Sequence, residues 1–202
     1  MLNFIDIPAP EGPYGPAKKM IIMHGRGDVK ESFIPITREI NVTGLSYRLL
    51  DAPSPFMFGY SWYAAAPADP IPDIKKSVAL ILENIQSLKM ATKDIFIAGF
   101  SQGAALALEV ALASQTAFAG VVCLSPRLFI RDELLNSKMI SSVDCFMAHG
   151  QYDEMIPFEE TSNGLLKLKE KGLSVEFHSY PMGHEIEIEE IRELRSWLNE
   201  RL

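Results

Sequence analysis

The most constraining feature of this sequence lies at residues 95–113, where an apolar run is followed by a glycine-flanked serine and then by a second apolar segment. Residues 95–100 are mainly β-branched, aromatic or small, which is typical of a buried strand. Residues 102–113 are apolar or small nearly all round a helical projection, which indicates a helix buried within the protein. This stretch therefore predicts a strand, a tight turn and a central helix.

Further apolar runs predict more buried strands, and most of them alternate with helical patterns. Residues 74–88 and 191–198 each have apolar positions at helical spacing, so each predicts a helix with one face against a core. Strands that alternate with helices imply parallel crossovers. We therefore expect an α/β fold with a mostly parallel central sheet and helices on both faces. The other predicted strands are 20–23, 45–50, 120–124, 143–148 and 175–180.

Length and charge limit the classes of protein that this chain can belong to. With 202 residues, 48% of them hydrophobic, we expect one domain over residues 1–202 without a large cap. The net charge is -7 and no basic stripe is present, so nucleic acid is not an expected partner. No apolar stretch reaches the length of a membrane span and the N-terminus lacks signal-peptide features, so we expect a cytoplasmic chain without stable membrane insertion.

The two cysteines, Cys123 and Cys145, lie in apolar runs that we predict to be strands. Buried free cysteines behave as small hydrophobic residues, and disulfides are rare in the cytoplasm. We therefore expect two reduced core thiols.

Ser101 is the candidate nucleophile, because it lies between Gly99 and Gly103 at the predicted strand-to-helix turn. The G-x-S-x-G pattern in this context is a nucleophile elbow, in which a sharp turn exposes the serine hydroxyl above the sheet. The glycines allow the neighbouring strand and helix to approach closely. The alternative is a serine that only caps the helix.

A serine nucleophile needs a base that is itself oriented by an acid. Of the four histidines, His184 is the best candidate base, because it follows the last predicted strand and precedes the C-terminal helix. For His149 we expect a buried hydrogen-bonding role, for His178 a solvent-facing strand position, and for His24 a packing role in a glycine loop.

Asp153 is the candidate acid, because it follows the predicted strand 143–148 and lies between Ser101 and His184 in chain order. An aspartate in such a loop can also serve only as a turn or helix cap. Glu154 and Asp144 are weaker alternatives, and Asp144 would lie at the wrong end of its strand.

Acyl transfer also needs hydrogen-bond donors for the developing oxyanion. In a nucleophile elbow one donor is the backbone amide of the next residue, here Gln102, and the other comes from a loop after an early strand. The glycine-containing loop 24–28 fits this description and would supply the amide of Arg26. Asp28, with Glu31 three positions later, predicts a capping box at a helix start.

The segment 52–72 is rich in proline and aromatic residues and follows a predicted strand, so we expect it to form a wall or lid of the site. Binding pockets are mostly apolar with few polar groups. Trp62 has core packing as an equal alternative. The candidate pocket residues are Phe56, Met57, Phe58, Trp62, Leu128 and Phe129.

Together these features resemble the phospholipase/carboxylesterase family of α/β-hydrolases, which includes acyl-protein thioesterases and small bacterial carboxylesterases. The resemblance covers most of the chain. It implies an α/β-hydrolase fold, a triad of Ser101, Asp153 and His184, oxyanion donors at Arg26 and Gln102, and no metal or organic cofactor. The matching motifs are His24-Gly25-Arg26-Gly27, Ser61-Trp62-Tyr63, Gly99-Phe100-Ser101-Gln102-Gly103-Ala104, Leu124-Ser125, His149-Gly150-Gln151-Tyr152-Asp153, Ile156-Pro157 and Gly183-His184.

Two departures from the family pattern are visible. The chain before the first core strand is short, so we expect fewer N-terminal antiparallel strands, and Ala104 stands where thioesterases often have glycine. Arg26 and Trp62-Tyr63 are more similar to the bacterial esterase branch than to the protein-depalmitoylating branch.

The expected function is therefore that of a serine carboxylesterase acting on small-molecule esters or thioesters with small to medium acyl chains. One alternative is a lysophospholipase or acyl-protein thioesterase acting on long acyl chains. Another is a non-catalytic binding protein on the same fold, and a dienelactone-type hydrolase is disfavoured because its chemistry needs cysteine at position 101. The sequence leaves the oligomeric state open, a homodimer included.

Overall fold

The computed structural model describes residues 1–10 and 18–202, and a central sheet organises them. Its strands, with the two of a separate hairpin, are β1 (Phe4–Ile7), β2 (Lys18–Met23), β3 (Leu45–Leu50), β4 (Ser54–Phe56), β5 (Gly59–Ser61), β6 (Ile95–Phe100), β7 (Gly120–Leu124), β8 (Asp144–Gly150) and β9 (Ser174–Tyr180).

In the described chain the sheet has seven strands in the order β1-β3-β2-β6-β7-β8-β9. All neighbouring strands pair in parallel except β1, which is antiparallel to β3. β4 and β5 form a separate antiparallel hairpin. Because β2, β6, β7, β8 and β9 are parallel, the loops that follow them lie at one edge of the sheet, where ligands bind in open α/β sheets.

Helices cover both faces of the sheet. They are α1 (Ile34–Ile40), α2 (Ile71–Ser87), α3 (Gln102–Ala113), α4 (Asp132–Leu135), α5 (Phe158–Glu170) and α6 (Ile188–Asn199), and short 3-10 turns occupy Lys30–Phe33, Thr92–Asp94 and Ile140–Ser142. The apolar sides of α2, α3 and α5 share one buried core. Those of α1 and α6 share the other, on the opposite face.

α3 is the central helix that its sequence predicts. Eleven of its residues, from Gln102 to Leu112, are buried. Such a helix needs apolar or small residues on every side, and its run of alanines and leucines supplies them. It packs against β6 and β7 and along α2, so its N-terminus is held at the ligand-binding edge of the sheet.

The predicted strands and helices are present, with small differences at their ends. β2 begins two residues before the predicted start at Met20, and β8 extends to Gly150. β1, the β4–β5 hairpin, α1, α4 and α5 were not predicted individually, because they are short or have weak apolar periodicity. Within the described residues one antiparallel strand, β1, precedes β2, in agreement with the expected reduction.

The predicted capping box at Asp28 is wrong. Asp28 does bond locally, since its Oδ1 accepts from the Val29 amide at 2.8 Å and its Oδ2 from the Ser32 hydroxyl at 2.7 Å. Glu31 turns instead to Lys30, 3.0 Å from its Nζ. The N-cap residue of the 3-10 turn is Val29 rather than Asp28, and no side chain caps the turn, so Asp28 and Glu31 do not form the box.

The expectation for the cysteines is confirmed, because Cys123 and Cys145 are both free and buried. They lie on the neighbouring strands β7 and β8 of the sheet. In the part of the chain that the structure describes, no helix is long and apolar enough to cross a membrane.

Glu190, in the first turn of α6, is a buried carboxyl. Its side-chain oxygens have no hydrogen-bond partner among the described residues. Burial raises the pKa of this carboxyl from 4.5 to about 8. The folded protein therefore keeps the Glu190 proton over a pH range in which the unfolded chain releases it.

We predict that replacing Glu190 with glutamine changes the pH dependence of stability. Between about pH 4.5 and pH 8 the unfolded state binds fewer protons at this site than the folded state, so the free energy of unfolding of the wild type falls as pH rises. Glu190→Gln removes this contribution, so its melting temperature relative to wild type should increase from pH 5 to pH 8. Thermal unfolding at both pH values, with the exposed Glu170→Gln as control, measures it. An equal difference at both pH values would contradict the prediction.

Candidate active site

Ser101 occupies a strained turn between β6 and α3. Its backbone has φ 55° and ψ -114°, a conformation that costs a non-glycine residue about 1–3 kcal/mol. A Cβ atom on Gly99 would lie 2.2 Å from the carbonyl carbon of Gly103, and one on Gly103 would lie 2.0 Å from the carbonyl oxygen of Met23. The two glycines are therefore needed for strand and helix to meet at this angle.

The structure brings Ser101, His184 and Asp153 into one hydrogen-bonded chain. The Ser101 Oγ lies 2.9 Å from His184 Nε2, and His184 Nδ1 lies 2.7 Å from Asp153 Oδ2. With its proton on Nδ1, the imidazole donates to the carboxylate and its Nε2 can accept the serine proton. This is the arrangement of a nucleophile, a base and an orienting acid.

Asp153 is held by the backbone of its own loop. Its Oδ1 accepts hydrogen bonds from the amides of Met155 at 2.9 Å and Ile156 at 2.8 Å. The side chain is buried, so the carboxylate meets His184 away from bulk water. These contacts fix the oxygen that faces the imidazole.

The loops that contain Asp153 and His184 are tied to each other. The amide of Gln151 donates to Tyr180 at 2.8 Å, and that of Tyr152 donates to Met182 at 3.0 Å. A Cβ on Gly150 would lie 2.2 Å from the Gly183 carbonyl oxygen, so glycine is needed where the two loops cross. The Phe100 ring, 4.8 Å from that of His184, supports the imidazole from below.

The other three histidines have hydrogen-bond partners outside the triad, although His149 Nε2 also lies 3.4 Å from Asp153 Oδ2. His149 is buried behind Asp153 and donates from Nε2 to Ile156 at 2.8 Å, and burial lowers the pKa of its ring. His24 is buried too, which lowers its pKa, and its Nε2 accepts from Ala52 at 3.1 Å. His178 is partly buried between Glu176 and Glu193 rather than facing solvent.

The loop 24–28 brings the Arg26 amide beside the elbow. A Cβ on Gly25 would lie 3.2 Å from the Phe100 ring and 3.5 Å from the Ser101 Cβ, so the loop passes in contact with the elbow. Gly27 donates to Tyr60 at 2.7 Å, which ties this loop to β5. The amides of Arg26 and Gln102 have no acceptor among the described residues, and both residues line the cavity at Ser101. Two unpaired amides at a nucleophile can stabilise an oxyanion.

The Gln102 side chain has a role that was not predicted. Its Oε1 accepts from the Trp62 amide at 3.0 Å, and its Nε2 donates to the Tyr63 carbonyl at 2.8 Å. Trp62 in turn donates from its indole to the His24 carbonyl at 2.9 Å. These contacts join α3, the segment after β5 and the loop after β2. A polar side chain in a buried and mostly apolar helix is the sequence signal for such a role.

A cavity of about 380 Å³ opens at Ser101. Tyr63 and Phe129 line it and pack edge to face, with ring centroids 5.4 Å apart. Arg26, Arg127 and Met155 also line it, together with Ala64, Ala65, Ala66, Ala68, Pro70 and Ile156.

The structure corrects the predicted pocket. Trp62 is 1% exposed and packs in the core, because its amide and indole are both bound internally. Leu128 faces Gly164 of α5, whereas its neighbour Phe129 faces the cavity. Phe56 lies beside a neighbouring cavity under the Arg26 guanidinium. Phe58, at the hairpin turn, is 97% exposed, and Met57 beside it is exposed as well.

A mostly parallel sheet with helices on both faces, a strained strand-turn-helix serine and the chain order Ser, Asp, His define an α/β-hydrolase fold. The sequence model of the family described as phospholipase/carboxylesterase matches residues 7–202, and the chain belongs to that family. The resemblance seen in the motifs is thereby confirmed.

Curated relatives are similar over part of their length. Acyl-protein thioesterase 1 of Yarrowia lipolytica is 31% identical over 137 residues, which are 60% of this chain and 60% of that protein. Carboxylesterase SOBER1 of Arabidopsis thaliana is 30% identical over 130 residues, which are 63% of this chain and 57% of that protein. These alignments therefore span less than two thirds of each relative.

Solved structures confirm the predicted fold over nearly the whole chain. The crystal structure of esterase PE8 superposes with a TM-score of 0.88 at 20% identity, covering 100% of this chain and 99% of that one. Arabidopsis thaliana SOBER1 superposes with a TM-score of 0.82 at 24% identity, covering 91% and 98% of the two chains.

We predict that Gln102→Ala destabilises the protein. The substitution leaves the buried Trp62 amide unpaired, which costs about 1–3 kcal/mol. It also removes one of two hydrogen bonds to the Tyr63 carbonyl, which still accepts from the Ser61 hydroxyl at 2.9 Å. Urea unfolding measures the effect, with the exposed Gln86→Ala on α2 as the matched control. A loss no larger than that of Gln86→Ala would show that the side chain does not join these segments.

Proposed function

We propose that this chain is a serine hydrolase that cleaves carboxylic esters with small to medium acyl chains through an acyl-enzyme on Ser101. The observation that carries the proposal is the hydrogen-bonded chain from the Ser101 Oγ through His184 to Asp153, with distances of 2.9 Å and 2.7 Å. The relatives named carboxylesterase and acyl-protein thioesterase support the same reaction class.

In the proposed mechanism the Ser101 Oγ attacks the ester carbonyl while His184 Nε2 takes its proton. Asp153 holds the imidazole and stabilises the imidazolium. The amides of Arg26 and Gln102 bind the oxyanion, the alcohol leaves with the proton from His184, and an acyl-enzyme remains. Water then gives a proton to His184 and attacks the acyl-enzyme, and the bond to Ser101 breaks as His184 returns that proton to the Oγ, which releases the acid.

The limit on acyl length is supported by a second cavity, of about 200 Å³, further along α3. Both cavities are lined by residues from α2 or its N-cap, from α3 and from the segment between β7 and β8. Pro70, Gln102 and Phe129 line the cavity at Ser101, whereas Ile74, Glu109 and Leu134 line the second one. From Gln102 to Glu109 the helix rises about 10 Å. We infer that the two cavities belong to one groove along α3.

Tyr63 and Phe129 interrupt this groove in our proposal. Both residues line the cavity at Ser101, and neither lines the second one. Behind them the Phe129 carbonyl accepts from Arg131 Nη1 at 3.2 Å, and Arg131 binds Glu109 through two short hydrogen bonds of 2.6 Å and 2.7 Å. The Arg131–Glu109 pair supports the Tyr63 and Phe129 rings from behind, and a long acyl chain would have to displace these rings.

We also propose a cytoplasmic location, which the two free buried thiols support, since disulfides are rare there. The three residues of the proposed triad come from one chain. The proposed chemistry therefore does not depend on whether the chain forms a homodimer.

We predict that Ser101→Ala reduces ester hydrolysis by about 10⁴-fold or more, because it removes the nucleophile. Hydrolysis of nitrophenyl esters from acetate to decanoate measures it, with Ser141→Ala, an exposed serine away from the site, as control. Equal rates for Ser101→Ala and wild type would contradict the mechanism. A wild type inactive on every ester would favour the non-catalytic binding protein instead.

We predict that Phe129→Ala and Tyr63→Ala shift the preferred acyl chain to greater length. In our proposal the removal of either ring opens the cavity at Ser101 toward the second cavity along α3. The ratio of kcat/KM for decanoate to that for butyrate should rise in both variants. Phe118→Ala, which removes a ring beside a different cavity, is the control. A wild type that already prefers decanoate would support the long-acyl alternative, and an unchanged ratio would show that the rings do not limit the chain.

A further inference from the structure

The charge around the cavity at Ser101 differs in sign from the charge of the chain. The protein has a net charge of -7, yet the charged side chains that line this cavity are Arg26 and Arg127. In the part of the chain that the structure describes, no aspartate or glutamate lines it. Asp153, the carboxylate of the site, is buried behind His184.

Arg26 presents its guanidinium to solvent at the cavity. The side chain is exposed, and its guanidinium carbon lies 4.0 Å from the centroid of the Phe56 ring. Stacking on an aromatic face leaves the N–H donors of the guanidinium free to point outwards. Among the described residues none accepts a hydrogen bond from the Arg26 side chain or forms an ion pair with it.

Arg127 approaches from another part of the chain. Its Nη2 donates to the Met155 carbonyl at 3.1 Å, and its Nε lies 3.5 Å from Glu160. Both side chains of that ion pair are about 40% exposed, 41% and 43%, so the pair is weakened by solvent. A guanidinium has five N–H donors, and these two contacts leave some of them free.

The sheet order places the two arginines on either side of Ser101. Arg26 follows β2 and Arg127 follows β7, and β6, which leads to Ser101, pairs with both strands. The pKa of the Tyr63 hydroxyl is affected by both arginines. Burial raises this pKa, and the positive charges of Arg127 and Arg26 both oppose that rise. Both guanidinium groups are thus near one wall of one cavity.

We propose that the ester substrate of this site bears an anionic group, a carboxylate or a phosphate, that Arg26 and Arg127 bind. This inference rests on the proposed function and adds the substrate class. The planar guanidinium matches carboxylate and phosphate oxygens in paired hydrogen bonds. A neutral ester would leave the free donors of both guanidinium groups to water alone.

The test compares two esters that differ in charge alone. One is the 4-nitrophenyl monoester of adipic acid, whose acyl chain ends in a carboxylate. The other is the matching ester whose chain ends in a carboxamide. Wild type should prefer the carboxylate, and Arg127→Gln and Arg26→Gln should each lower the ratio of kcat/KM for the charged ester to that for the neutral one by about tenfold. The ratio cancels any general loss of activity, so a merely structural role of either arginine would not move it.

Arg192→Gln is the matched control. Arg192 is an exposed arginine on α6 that pairs with Glu189, and its replacement should leave the ratio unchanged. Competition by adipate and by inorganic phosphate against the neutral ester separates the two anions, because the one that is recognised should inhibit wild type and lose this effect in Arg127→Gln.

A binding measurement separates this inference from the proposed function. Calorimetry with Ser101→Ala, which cannot form an acyl-enzyme, should show tighter binding of adipate than of adipamide, and the added Arg127→Gln substitution should abolish the difference. Hydrolysis of the neutral ester with a ratio that neither arginine changes, or equal binding of adipate and adipamide, together with no inhibition by inorganic phosphate, would overturn the inference and leave the proposed hydrolase intact. Absent hydrolysis with adipate still bound through Arg127 would overturn the proposed function alone.

Discussion

The contact of α3 with the ends of β2 and β6 is the constraint on which the rest of the site depends. Gly103 lies so close to the Met23 carbonyl that no side chain fits between them. α3 can therefore begin directly at the sheet edge, with Ser101 in a strained backbone conformation at its first turn. The loop after β2 and the free amides at the start of α3 then meet by necessity, since both follow from the same close approach.

Buried polar contacts turn this meeting of loops into a fixed geometry. Gln102 holds the backbone of Trp62 and Tyr63, and the Trp62 indole holds His24. In a dry interior an unmade hydrogen bond of this kind is costly, so these bonds hold the segments in fixed positions relative to one another. The same argument explains why Trp62 lies in the core. Its two donors are engaged on the protein side, which leaves Tyr63 to face the cavity.

The parts of the structure that were predictable are those encoded by local patterns. α3 has the predicted bounds because all of its positions except Gln102 and Glu109 are apolar or small. Chain order together with strand ends was enough to select Ser101, Asp153 and His184 as the residues that the fold brings together. The pocket was not predictable in the same way. Leu128 and Phe129 are equally apolar neighbours, and only the packing of Leu128 against α5 decides which of them faces the cavity.

The net negative charge of the protein affects the stage at which an anionic substrate would be selected. At physiological salt the field of a charge decays over about 8 Å, so an approaching anion is first repelled by a surface of net charge -7 and meets the arginines only at the cavity. Electrostatic steering then contributes little to the rate of association. The two arginines act at short range, through hydrogen bonds made once the substrate lies against Ser101. Such a site would select for charge in the bound state and in the steps that follow it, because the substrate then contacts both the guanidinium groups and Ser101.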